Sequence, residues 1–344
     1  MQHPPIDSST LSSRRRVLAV SGGIGGAKLA LGLYRILQPD ELIVVVNTGD
    51  DFEHLGLHVS PDVDTLMYTL AGINNPETGW GRANETWTFM SALATLGGDT
   101  WFRLGDGDLA TNLERTQRLQ RGESLTGITE DFRRRLGISA ALLPMSDDPV
   151  HTMVETREGV LAFQHYFVKA SCIPEVTGFR FDGADTARPN PQLMDALSRL
   201  DLEALVICPS NPFISVDPVL ALPGVRAALV NSPIPVIGVS PIIGGQAVKG
   251  PTAKIMRELG LPTTAAAVAE YYGELLDGFV LDNQDAASSD VIKTPTCATH
   301  IQMDTLEDRE RLAREVLAFA AELNSAGPES GANQRFSSDA ATSR

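Results

Sequence analysis

The sequence predicts an α/β fold in which a largely parallel sheet is covered by helices. Short runs rich in Val, Ile and Leu alternate along the chain with segments whose apolar residues recur at helical spacing, which is how strands and crossover helices read. The first run also passes through a glycine turn directly into an apolar helix. The strands read as Val17 to Val20, Leu42 to Val46, Ala204 to Cys208, Val236 to Val239 and Phe279 to Leu281. Helices are expected at Ala27 to Leu37, Val63 to Leu70, Glu85 to Leu96, Thr252 to Leu259, Thr264 to Tyr272 and Leu306 to Leu323.

The stretch from Asp147 to Arg188 breaks this rhythm and reads as a β-hairpin closed around Arg157-Glu158-Gly159. It is expected as an insertion, about 147–188, on a single domain spanning 16–323. The polar ends, 1–15 and 324–344, hold few large apolar residues and are expected as disordered tails. On the last helix, Leu312, Val316, Phe319 and Leu323 form a stripe that suits core packing or a second subunit of a homodimer. Core packing is the expectation.

Composition excludes several classes. Among 344 residues, 28 Lys and Arg face 43 Asp and Glu, a net charge of −15. With no basic run longer than three residues, such a chain repels a nucleic-acid backbone. No run approaches the ~20 apolar residues that span a bilayer, so no membrane partner is expected. Cys172, Cys208 and Cys297 are odd in number and form no CxxC. That pattern suits reduced thiols and a cytoplasmic location better than disulfides or a zinc site.

The glycine turn is the first candidate site. Val17 to Val20 lead into Ser21-Gly22-Gly23-Ile24-Gly25-Gly26-Ala27-Lys28. A strand, a glycine turn and a helix N-terminus present free backbone N–H groups to an anion such as phosphate. The spacing matches neither the P-loop, which needs Gly-Lys-Ser/Thr, nor the dinucleotide fingerprint, whose third small residue is replaced by Lys28. A tight connection without a ligand gives the same pattern. Lys28 suits either a phosphate contact or solvent.

Asn47-Thr48-Gly49-Asp50-Asp51 follows the second strand, and Pro61-Asp62-Val63-Asp64 opens the next helix. At the carboxyl edge of a parallel sheet these acids share a crevice with the glycine turn. Carboxylates beside phosphate repel it unless a cation such as Mg²⁺ intervenes. The plain alternative makes Asp62 an N-cap and Asp50 and Asp51 turn residues. His54 and His58 stand four apart, but Gly56 argues against a helix that would make them metal ligands. Trp80 and Trp87 suit either stacking on a flat ring or the core. Arg103 lies in Trp101-Phe102-Arg103-Leu104-Gly105 beside Asp106 and Asp108, where it suits an anion or plain surface. Cys208-Pro209-Ser210-Asn211-Pro212 and Ser240-Pro241-Ile242-Ile243-Gly244-Gly245 read as rigid loops after buried strands, suited to nucleotide recognition.

Read together, SGGIGGAKL, VVNTGDDF, SPDVDTLMYTL, WFRLGDGDLAT, LPMSDDPV, CPSNPFISVDPVL, VSPIIGGQAVKGP and VAEYY resemble the 2-phospho-L-lactate transferase (CofD) family, collinearly from about Val17 to Asp282. The resemblance implies a Rossmann-like fold and an enzyme of coenzyme F(420) biosynthesis. Such enzymes join the deazariboflavin Fo to a phospho-acid delivered as a guanosine diphosphate derivative, and release GMP in the presence of Mg²⁺. The acid is phospholactate, phosphoenolpyruvate or 3-phosphoglycerate in different members. By the same resemblance Asp64 contacts Fo and is the catalytic carboxylate, orienting or deprotonating the hydroxyl. Arg103 is the basic residue before the Leu-Gly-Asp segment. Gly22, Gly23, Gly25, Gly26 and Lys28 cradle the diphosphate, and Ser210 and Asn211 line the guanosine side. The residues themselves, rather than the resemblance, offer Trp80 as a substrate contact and Asp50 and Asp51 as metal ligands. The rivals are a nicotinamide oxidoreductase and a nucleotide-sugar-binding regulatory protein of a related fold.

Overall fold

The computed structural model describes residues 16–199 and 201–325; the tail expected at 1–15 lies outside the described residues, as does that expected at 324–344 except for Asn324 and Ser325, which end the last helix. Strand β1 (Arg16–Ser21) feeds helix α1 (Gly23–Ile36). β2 (Leu42–Val46) precedes a small antiparallel hairpin of β3 (Phe52–His54) and β4 (Leu57–Val59), then α2 (Pro61–Ala71). Helices α3 (Thr88–Thr95), α4 (Asp106–Gln120) and α5 (Leu125–Arg135) lead to β5 (Ala141–Pro144). Next come β6 (His151–Thr156), β7 (Gly159–Ala162) and β8 (Val176–Asp182), followed by α6 (Pro191–Ser198) and β9 (Leu202–Ile207). The last part holds α7 (Asp217–Leu220), α8 (Val225–Val230), β10 (Val236–Val239), the short pair β11 (Ile242–Ile243) and β12 (Gln246–Ala247), α9 (Thr252–Glu258), α10 (Ala265–Tyr272), β13 (Gly278–Asp282), β14 (Thr296–Thr299) and α11 (Leu306–Ser325).

Seven strands form one sheet in the order β14-β13-β10-β9-β1-β2-β5, with every neighbouring pair parallel. Alternate side chains of β1 enter two separate cores. Val17 and Ala19 pack with Leu29 and Leu33 of α1 and with Leu312 and Val316 of α11. Leu18 and Val20 pack with Leu193 of α6, Leu229 of α8, Ile255 of α9 and Val268 of α10. Helices therefore cover both faces, as the all-apolar strands require, and the fold is α/β and Rossmann-like. The stripe of α11 is spent in the core: Leu312, Val316 and Phe319 are buried and Leu323 packs beside them.

Chain order reverses between β1 and β9, which makes their carboxyl ends the switch point where open α/β sheets take ligands. Around that point the sequence needed several corrections. The hairpin around Arg157 to Gly159 exists, yet β8 joins it to give a three-stranded antiparallel sheet, β7-β6-β8. Its ends are tied together where Asp148 pairs with Arg188 at 2.9 Å. The helix expected from Glu85 starts only at Thr88, because the Glu85 carboxylate accepts from the N–H groups of Gly107 and Asp108 at 2.7 and 2.8 Å. Glu85 thus serves the positive end of α4. Neither α4 nor β14 was expected: α4 buries Asn112, Arg115 and Thr116, so it carries no apolar stripe, and β14 is Thr-Cys-Ala-Thr at the sheet edge. Among the described residues no helix is long and apolar enough to cross a membrane.

Candidate active site at the carboxyl edge

The glycine turn joins the two strands of the switch point. The Gly22 N–H donates to Ser210 Oγ at 3.2 Å, and that hydroxyl donates back to the Gly22 carbonyl at 2.9 Å. Most of the glycines are also required by the protein's own packing. A Cβ on Gly25 would lie 2.3 Å from the Pro209 carbonyl oxygen, and one on Gly26 within 2.6 Å of the Ser21 and Ser210 hydroxyls. Gly22 is similarly closed by Ser215 and Asp62. Gly23 differs: its φ is +64°, which favours glycine, and the space beside it is open. Lys28 is also reassigned. Its Nζ donates to the Met303 carbonyl at 2.8 Å, and half-burial beside Arg309 lowers its pKa.

The acids converge on that turn. Asp62 is not the N-cap, a position held by Ser60; from the second helical position its Oδ1 accepts from the Gly23 N–H at 2.7 Å. The Asn47 amide donates to Asp50 Oδ1 at 2.8 Å and to Asp62 Oδ2 at 3.0 Å. Asp50 and Asp62 are thus two buried carboxylates bridged by one NH₂ group. Burial, reinforced by neighbouring carboxylates, holds the Asp50 carboxyl well above its ordinary range and pushes Asp62 up to about 6. Asp51 accepts from Ser60 Oγ at 2.7 Å and meets His58 Nε2 at 3.2 Å, while its Oδ1 is buried with no partner.

Two bridged carboxylates and an orphaned buried oxygen fit a hard, oxygen-seeking cation such as Mg²⁺. Among the described residues no group of three or more His, Cys, Asp or Glu has metal-holding geometry. Substrate oxygens and water would complete the shell, as is usual for Mg²⁺. Asp62 pairs with the expected Asp50, through contacts that its place in the sequence did not show, while Asp51 turns one oxygen to Ser60 and His58.

Behind this pair, Asp64 faces Arg115, which sequence reasoning missed. Arg115 Nη1 donates to Asp64 Oδ2 at 3.1 Å and Nη2 donates to Asp64 Oδ1, and both side chains are buried. Burial raises the Asp64 pKa against the opposing pull of Arg115. Alongside, Tyr68 donates to Asp108 Oδ1 at 2.8 Å, and burial, reinforced by Asp64, pushes Asp108 up to about 7.

The remaining candidates lie on the surrounding loops. Arg103 is exposed and lies over the Trp87 ring, 4.2 Å from its centroid. Trp80 is 49% exposed, and Gly79 beside it abuts Ile24 of the glycine turn. Asn211 accepts from the Phe213 N–H and leaves its Nδ2 buried without a partner, a donor free for a ligand. His54 and His58 are no metal pair: His54 meets the Phe102 carbonyl and His58 meets Asp51. The inserted sheet reaches the same edge, where Gln164 Nε2 lies 3.5 Å from both the Asp50 carbonyl and its Oδ2.

Comparison with known proteins adds the family. The model of the 2-phospho-L-lactate transferase CofD family matches residues 17–321. A phosphoenolpyruvate transferase of Kitasatospora aureofaciens is 41% identical over 318 residues, covering 90% of this chain and 98% of the relative. A 2-phospho-L-lactate transferase of Methanopyrus kandleri is 41% identical over 316 residues, again 90% and 98%. That of Methanocaldococcus jannaschii is 36% identical over 311 residues, covering 89% and 99%. Among solved structures, a UPF0052-family protein of Bacillus halodurans superposes with a TM-score of 0.60 at 14% identity, over 88% of this chain and 98% of that one. At that identity the likeness concerns the fold alone.

Proposed function

The chain belongs to the 2-phospho-L-lactate transferase CofD family, and from that premise we propose that it transfers a phospho-acid from a guanosine diphosphate-linked donor to Fo, releasing GMP, in coenzyme F(420) biosynthesis. One observation carries the reading: the Asp50–Asn47–Asp62 bridge touches the open Gly23 turn at the switch point. A phosphate there needs both the amide dipoles and a divalent ion.

In this reading the terminal ribityl oxygen of Fo attacks the acid-side phosphorus of the diphosphate. The bond to the bridging oxygen breaks and GMP leaves with that electron pair. The N–H groups of Ile24 and Gly25, in the first turn of α1, face the diphosphate, and the free Asn211 amide and Ser210 line the guanosine side. Trp80 and the Arg103–Trp87 stack offer surfaces for the flat deazaflavin. Asp50 and Asp62, with substrate oxygens and water, would hold Mg²⁺, which supplies charge neutralisation at the transferred phosphorus. Asp64, gripped by Arg115 on both oxygens, orients the attacking hydroxyl. General-base help is worth ~10²–10⁴ in rate, so positioning and electrostatics carry most of the acceleration.

The test is incubation of the purified chain with Fo, Mg²⁺ and each of the guanosine-linked phospholactate, phosphoenolpyruvate and 3-phosphoglycerate donors, with product mass as readout. An Fo–phospho-acid adduct formed in step with GMP supports the reading and identifies the acid. Absence of any adduct, with nucleotide-sugar binding in its place, favours the regulatory alternative.

A further inference from the structure

Arg115 is a fully buried cation set among buried acids. From α4 its guanidinium reaches two other pieces of chain and one residue of its own helix. Nη1 donates to Asp64 Oδ2 on α2 at 3.1 Å, to Asn112 Oδ1 at 2.8 Å and, at 3.4 Å, to the His58 carbonyl on β4, while Nη2 takes the second Asp64 oxygen. Its Nε is buried with no partner. The guanidinium therefore leaves one of its own donors unsatisfied while gripping a single carboxylate with both terminal nitrogens.

Stability alone accounts poorly for that arrangement. Replacing a buried ion pair by well-packed apolar residues is often neutral or stabilising, because the charges lose their hydration. What a planar guanidinium supplies, and an apolar residue does not, is a two-pronged grip that fixes a carboxylate in one rotamer. A lysine, as a point charge, lacks that fork. The same guanidinium touches the His58 carbonyl, and the His58 ring meets Asp51, so the grip on Asp64 is one residue removed from the acids of the site, and the rotamer of Asp64 decides what it presents there.

We propose that Arg115 is the positioning residue for Asp64, holding its carboxylate in the one orientation that receives the acceptor hydroxyl. The inference rests on the acceptor-binding role given to Asp64 above. Arg115 touches no substrate and acts through Asp64 alone.

The experiment is a double-mutant cycle on the full chain with Asp64→Asn, Arg115→Met and the combination, plus Arg115→Lys, each checked for folding by circular dichroism. Acceptor kinetics are read with Fo at saturating donor, and GDP affinity is read by titration. Arg115→Met leaves a buried charge unpaired and risks misfolding; Arg115→Lys and the double variant, which carries no such charge, keep the test open. The account expects Arg115→Lys to lower kcat/KM for Fo at least tenfold with GDP affinity within twofold of the parent. It also expects the double variant to match Asp64→Asn, because a residue acting only through Asp64 has nothing left to lose. Equal losses in Fo and GDP handling by Arg115→Lys, or a further tenfold loss on adding Arg115→Met to Asp64→Asn, would overturn the positioning role while leaving Asp64 in place. Near-normal turnover by Asp64→Asn itself would remove the acceptor reading of Asp64, and the positioning role with it.

Discussion

Asp62 accepts a hydrogen bond from the Gly23 amide at 2.7 Å, so an acid from the second helix occupies the N-terminus of the first. The same carboxylate shares the Asn47 amide with Asp50. A helix start that would draw phosphate is thus matched with the carboxylates that would repel it, and a divalent ion resolves the conflict.

Asp62→Asn is expected to separate stability from activity. The amide still has an oxygen to receive the Gly23 N–H, but its NH₂ then meets the Asn47 NH₂ and loses that bond, while the repulsion of Asp50 falls away. With the two effects opposed, calorimetry at pH 7.5 should give a Tm within a few degrees of the parent. Turnover should drop at least 100-fold, and parent-like turnover would remove Asp62 from the site.

The raised carboxyls also set a pH dependence. Asp62 titrates near 6 and Asp108 near 7 in the folded chain, against an ordinary value of 3.8. A carboxyl raised on folding contributes stability that is fully present below its unfolded value and lost as pH rises through its folded value. Metal-free protein should therefore melt at a lower temperature at pH 8 than at pH 5. Saturating Mg²⁺ should flatten the Asp62 part of that slope, and so should Asp62→Asn. Asp217, pushed to about 6 by burial, titrates in the same window and preserves a residual slope. Thermal melts from pH 5 to 8, with and without Mg²⁺, provide the check; a Tm that rises steadily across this range would contradict the assignment.

The glycines of the turn should part company on substitution. Gly25→Ala drives a methyl against the Pro209 carbonyl oxygen, a main-chain atom with no rotamer to change. It should lower Tm by more than 5 °C or abolish soluble expression. Gly23→Ala meets open space and bears only the left-handed backbone cost of about 1–2 kcal/mol. Comparable melting of the two variants would refute the distinction.

Arg103→Ala removes an exposed cation–π contact with Trp87, worth roughly 0.5–1 kcal/mol at such a site. Tm should move by no more than a few degrees. If the stack receives the deazaflavin, KM for Fo should rise at least tenfold while GDP affinity holds. A change in GDP affinity alone would assign Arg103 to the donor.

The frame was legible in the sequence at β1, β2, β9, β10 and β13, which are largely buried apolar runs, although the short apolar run of β5 was missed. α4 was not legible, because its buried face is Asn112, Arg115 and Thr116, and no hydropathy period marks a polar face. The same blindness hid the site's wiring. Gly22, Asp50 and Ser210 announced themselves by type and place, but the bond from Gly23 to Asp62 spans 39 residues and that from Arg115 to Asp64 spans 51. The packing role of the glycines was hidden for a related reason. Pattern reveals that a side chain is unwelcome, not whether a ligand or Pro209 excludes it.

The most direct test is a crystal soaked with GMP and Mn²⁺, read by anomalous scattering. The account predicts a manganese peak within coordinating distance of Asp50 and Asp62, and the phosphate within hydrogen-bond reach of the Ile24 and Gly25 amides. A nucleotide bound away from the Ser21 to Gly26 turn, or manganese absent from those carboxylates, would contradict it.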